Sequence, residues 1–156
     1  MNRSLVLLVA STAACAWTFS AAAAAPAACN AVSFAEAGKA LGVPVTAVTA
    51  RTHGDATTCS YRASGSFKRL EVSILPFKSQ ADAKSDFHAM VTDPRLHLAP
   101  SVDLTGIGDE AHRFGPTVYV RKNGTVYVFT QLAPDPSGTA ALRTISLAKA
   151  SIARQH

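Results

Sequence analysis

The sequence predicts an α+β domain: one antiparallel sheet of about five strands with helices packed on one face, in the order αββ-αβββ-α. Three observations carry this expectation. Segments with apolar residues at helical spacing are interleaved with segments in which apolar and polar residues alternate strictly. Asn123-Gly124 separates two Val-rich runs at the spacing of a tight hairpin. Ser33 and Ser79 each stand before a helical segment, with Glu36 and Asp82 three residues on.

Taken in chain order, Ser33-Phe34-Ala35-Glu36 is a capping box, so a short helix runs from Phe34 to about Leu41. Gly42 suits the left-handed position that ends it, and Pro44 follows. Residues 45–58 read as polar and irregular, with a turn at Gly54-Asp55. Residues 57–63 form a strand with Cys59, Tyr61 and Ala63 on one face. After the Ser64-Gly65-Ser66 turn, residues 70–74 alternate cleanly, which places one face on a core. Ser79 opens a second helix with Ala83, Phe87, Met90 and Val91 on its apolar stripe, and Asp93-Pro94 stops it. Residues 95–105 fit a loop or a loose strand.

Residues 106–110 form a turn into a strand at 111–114. In the hairpin that follows, a two-residue turn sets Val118 opposite Phe129, Tyr119 opposite Val128 and Val120 opposite Tyr127. Both faces of this hairpin are partly apolar, so it should be central or covered on both sides. The last helix starts at 135–138, with Ala141, Ile145, Ala148 and Ile152 inward and Arg143, Lys149 and Arg154 outward. The two helix-then-hairpin units suggest a degenerate internal duplication.

Composition narrows the class. The chain has 156 residues, 48% apolar and 16% charged, which suits one ordinary domain and excludes a disordered chain. Arg3 precedes an apolar, then Ala-rich, stretch ending in A-x-A sites, the pattern of a secretory signal peptide. Residues 1–27 are therefore expected to be a leader, cut after Ala24 or Ala27, and residues 28–156 a single exported domain. An uncleaved anchor and lipid attachment at Cys15 are the alternatives. Nothing after the leader is long and apolar enough to span a bilayer. Cys29 and Cys59 remain in the mature chain, an even pair that reads as one disulfide. Two buried free thiols are the other reading of the pair.

With these elements in place, the chain resembles small exported bacterial proteins of unknown function, including actinobacterial lipoproteins with a two-cysteine clamp. The resemblance lies in Cys29, Leu41-Gly42-Val43-Pro44-Val45, Cys59-Ser60-Tyr61, Gly106-Ile107-Gly108-Asp109-Glu110-Ala111 and the hairpin around Asn123-Gly124. It implies a fold and an envelope location, and no catalytic residues.

The residues themselves offer little catalytic chemistry. His88 and His97 lie close in sequence to Asp86 and Asp93, but a metal site would need them to converge from a helix and its following loop. Asp109, Glu110 and His112 crowd one turn; Glu110 and His112 share a strand face where they can pair, and Asp109 suits backbone amides of its own turn. No nucleophile elbow or phosphate loop is present. The chain has 15 Lys and Arg against 10 Asp and Glu. Its basic clusters, Arg62-Lys68-Arg69 and Arg113-Arg121-Lys122, leave open a weak attraction to anionic envelope polymers or lipids.

The expected function is a non-enzymatic binding or interaction domain, periplasmic or secreted and monomeric. Its partner would be an envelope protein, polymer or small ligand rather than nucleic acid, and it would use no cofactor. Tyr119, Tyr127 and Phe129 form its candidate ligand surface. The alternative is a small periplasmic metal-binding protein or hydrolase using His88, His97, Asp109 and His112.

Overall fold

The computed structural model describes residues 29–96, 99–132 and 137–155. The leader with its Cys15, His97 and the Asp135-Pro136 start of the last helix lie outside the described residues.

Local chemistry sets the ends of the first two helices. In α1 (Phe34–Leu41) the Ser33 side chain accepts from Glu36 N at 3.3 Å, while Glu36 Oε2 accepts from Ser33 N at 2.9 Å. Gly42 ends the helix at φ 67°, a conformation glycine adopts without steric cost. In α2 (Gln80–Thr92) the Ser79 hydroxyl accepts from Asp82 N at 3.1 Å. Ala83 and Phe87 of its stripe are fully buried, and Met90 and Val91 half-buried.

The strands are β1 (Val45–His53), β2 (Ala56–Ala63), β3 (Arg69–Pro76), β4 (Ser101–Leu104), β5 (Glu110–Phe114), β6 (Thr117–Lys122) and β7 (Thr125–Leu132). They form one antiparallel sheet of seven strands, not about five, in the order β1-β2-β3-β7-β6-β5-β4. The added strands are the two edges. Part of the stretch read as irregular is β1, a nine-residue strand. Its residues are largely exposed, so no apolar–polar contrast marks it; only its β-branched content does. Edge strand β4 is four residues long and gives periodicity too little to act on.

The hairpin register is the one the Asn-Gly turn predicts: Val118 faces Phe129, Tyr119 faces Val128 and Val120 faces Tyr127. Asn123 takes φ 53°.

Cross-strand pairing assigns the faces. Cys59, Val72, Phe129 and Val118 form one row on the first face, under α1 and α3 (Thr139–Ile152). The second face carries Ser73, Val128, Tyr119 and His112, and there α2 packs over β6 and β7. The helices therefore do not share one face, as the sequence suggested. The chain must pass from β3, mid-sheet, to β4 at the far edge, and it crosses β7, β6 and β5 on the side opposite α1 and α3. A rotation exchanging the antiparallel neighbours β3 and β7 would leave α1 and α2 on the same face, so the two units are not duplicates related by that rotation.

Helix α3 turns slightly from its expected stripe. Ala148 and Ile152 are buried, but Ala141 and Ile145 are half-exposed, and Ala140, Thr144, Leu147 and Ser151 go inside. The two hydroxyls are satisfied there: Thr144 Oγ1 lies 2.9 Å from Ala140 O and 3.3 Å from Gln131 Oε1, and Ser151 Oγ donates to Ala31 O at 2.7 Å. A buried hydroxyl with a partner is not costly, which hydropathy alone does not register.

Candidate ligand-binding face

Cys29 and Cys59 are joined as a disulfide, with Cα atoms 5.7 Å apart. Around it the start of the described chain is fastened three further ways. The Tyr61 hydroxyl lies 2.8 Å from both Cys29 O and Val32 O, sharing its one proton between them. Arg154 donates to Ala31 O at 3.1 Å and pairs with Glu36 at 2.7 Å. Burial pushes the Tyr61 phenol up to about 12, with the Glu36 charge adding to it, so it stays a donor. Burial would raise the Glu36 carboxyl, but the Ser33 hydrogen bonds and Arg154 outweigh it and hold the group below its usual 4.5. The Cys-x-Tyr strand is thus a clamp, worth about 3–4 kcal/mol from the disulfide alone. A disulfide is consistent with an extracellular location, and no described helix is long and apolar enough to cross a membrane.

The Gly-x-Gly-Asp turn is also structural. At Gly108, φ is 63° and a Cβ would sit 2.5 Å from Arg121 O. That close approach lets Asp109 N donate to Arg121 O at 2.8 Å and Asp109 Oδ2 accept from Asn123 N at 2.7 Å. Asp109 therefore caps the neighbouring hairpin turn rather than its own. Its carboxylate also takes Arg121 at 3.1 Å, with Lys122 3.8 Å away.

Glu110 and His112 do share a face but take other partners. Glu110 pairs with His88 at 3.0 Å and Arg121 at 3.4 Å, and His112 with Asp103 at 2.9 Å. His88 and Asp109 thus belong to one chain through Glu110 and Arg121, while His112 is engaged separately. No group of three or more metal-binding side chains forms among the described residues.

The candidate surface at Tyr119, Tyr127 and Phe129 is not a surface. Phe129 is fully buried and Tyr127 nearly so, on the first face beneath α3. Tyr119 lies on the second face, its ring edge-on to Phe114 with centroids 5.7 Å apart. Alternation separates neighbours in a strand by a whole sheet thickness, so aromatic content near a turn does not make a patch.

Of the two basic clusters, the second is divided. Arg121 lies on the second face, held by Asp109 and Glu110, while Arg113 lies on the first and donates to Gly115 O at 3.2 Å. The first belongs to an open face. Helix α2 covers only the β6–β7 side of the second face, leaving β1, β2 and β3 uncovered there. Pairing sets out the rows on this face: Arg62 beside Arg69, Ser60 beside Glu71, and Arg51 beside Thr58 and Ser73. All of these but Ser73 line a depression of about 340 Å³ that also takes in His53. Arg69 pairs with Glu71 at 3.2 Å; Arg51 and Arg62 are exposed and make no ion pair among the described residues. Ser60 Oγ is shielded from solvent without a hydrogen-bond partner.

Arginine forks matched to planar oxyanions and hydroxyls that both donate and accept suit a carboxylated, sulfated or phosphorylated ligand. Arg62 and Arg69 show in the sequence as a basic cluster, whereas Arg51 joins this face only because residues 45–53 form β1, whose β-branched run is the signal for it. No protein-family model matches the chain, and no curated protein or solved structure does.

Proposed function

We propose that the chain is an exported, non-enzymatic binding domain of the cell envelope that takes an anionic partner on the open second face of β1–β3. One observation carries the reading: this face sets Arg51, Arg62 and Arg69 against the single carboxylate of Glu71, while Arg121 and Lys122 across the sheet lie against Asp109. The basic–apolar leader and the disulfide support an oxidising compartment outside the cytoplasm. The likeness to exported two-cysteine proteins agrees, and rests on the residues alone.

The test is a titration with a soluble polyanion, dextran sulfate, at low and high salt. Binding at low salt that weakens with ionic strength, and that falls about tenfold or more in an Arg51→Gln/Arg62→Gln variant, is the expected result. No affinity at low salt, or affinity indifferent to that variant, removes the reading.

A further inference from the structure

Beside the open face stands a feature an acidic polymer does not explain. The turn joining β2 to β3 presents Phe67 wholly to solvent, at 100% exposure. The turn is built rather than loose. Gly65 takes φ 65°, and Ser66 Oγ accepts from Lys68 N at 3.2 Å. The Lys68 ammonium reaches back to Leu41 O, the last carbonyl of α1, at 3.3 Å, bracing the tip against the helix end.

Phe67 is not a solitary apolar side chain. At the same end of the sheet one cross-strand row reads Ala47, Arg62, Arg69, Leu132, and Leu132 is 37% exposed. The end of the sheet therefore presents apolar groups and cations together: Phe67 and Leu132 with Arg62, Lys68 and Arg69.

We propose that this end of the sheet docks on an anionic bilayer surface, with Phe67 entering the headgroup–acyl boundary while Arg62, Lys68 and Arg69 meet lipid phosphates. The inference rests on the anionic-partner reading above and names that partner. The choice among anions follows from Phe67. A soluble polyanion offers oxyanions to the arginines and nothing to an exposed ring. A bilayer of acidic lipids offers oxyanions at its surface and an apolar phase just beneath them. A convex tip meets a deformable surface without needing a preformed pocket. Each cation near such a surface strengthens binding about fivefold, and burying the ring about tenfold. One aromatic and a few cations make a weak, reversible contact, suited to orienting an envelope domain against a membrane.

The experiment uses the full chain as its host exports it, purified without reductant, and three probes: phosphatidylglycerol–phosphatidylcholine vesicles, pure phosphatidylcholine vesicles, and dextran sulfate. The expected result is sedimentation with the acidic vesicles only, about tenfold weaker for Phe67→Ala and about fivefold weaker for Arg62→Gln. Phe67→Ala should bind dextran sulfate as the parent does. Phe67→Trp, the one tryptophan of the leader-free chain, should blue-shift on the acidic vesicles and be quenched by brominated acyl chains. Binding to dextran sulfate but not to acidic vesicles, or vesicle binding indifferent to Phe67→Ala, overturns the membrane inference and leaves the anionic-partner reading standing. Binding to neither probe overturns both. Phe67 is fully exposed, so loss of binding through misfolding is not at issue, and unchanged circular dichroism checks it.

Discussion

The two halves of the sheet's second face both carry arginines and end in different states. The half over β5–β7 sets its charges among Phe114, Tyr119, Val126 and Val128, whereas the half over β1–β3 is almost wholly hydroxyl and charged. Over β5–β7, α2 lays Phe87 against the His112 ring with centroids 5.6 Å apart, and the polar groups nearby pair off: His88 with Glu110, Arg121 with Glu110 and Asp109. Over β1–β3 no described helix packs on the face, and Arg51 and Arg62 stand in solvent. A charge under a helix must find a partner or lose its hydration uncompensated; a charge in water needs none and stays available to a ligand. The same residue type is therefore a brace in one half and a contact in the other. The connection from β3 to β4 lays α2 over the half that carries the apolar side chains.

Substitutions should separate the halves sharply. Phe87→Ala empties the seam under α2 and should cost about 3–5 kcal/mol in urea unfolding, without changing polyanion binding. A loss below about 1 kcal/mol would mean that α2 does not seal this half. Gly108→Ala forces a Cβ toward Arg121 O at a positive φ and should cost about 2 kcal/mol or more by thermal melting. Asp109→Asn keeps the shape but removes the charge facing Arg121 and Lys122, and should cost about 1 kcal/mol.

Acid should weaken the N-terminal clamp. The Glu36 carboxyl is held below 4.5 in the folded chain, so its contribution is present above that value and is lost as pH falls through the folded value. Faster amide exchange in α1 than in β7 below pH 4.5 is the expected signature; equal protection in both would remove Glu36 from the clamp. The smallest effect belongs to the open half. Arg62→Gln should move stability by no more than about 0.5 kcal/mol while weakening anion binding severalfold. If it destabilises as much as Asp109→Asn, Arg62 is a brace as well and the contrast between the halves fails.

Local chemistry was legible. The Ser33 box, the Gly42 stop, the Asn123-Gly124 register and the Cys59–Tyr61–Ala63 face all follow from a few adjacent residues whose geometry admits one solution. The edges were not. Strand β1 is largely exposed, with only Val45 and Val48 half-buried against the core, so hydropathy alternation, which reports burial, has little to report. The Ser151 and Thr144 faces of α3 were misassigned because their partners, Ala31 O and Gln131, are distant in sequence. The candidate site suffered from the same limit. Aromatic density around the hairpin marked Tyr127 and Phe129 as notable, yet only the packing of α3 shows that they are core.

The sequence by itself determined the secondary elements with strong local signals, the cysteine pair available to clamp them and the central place of the β6–β7 hairpin, because those depend on nearest neighbours and on apolar content. Tertiary structure alone decided which face each helix covers, which charges neutralise one another, and that Arg51, Arg62 and Arg69 share an open face beside an exposed Phe67. Those outcomes depend on where the chain crosses the sheet, and a crossover is a property of the whole fold that no local stretch of residues encodes.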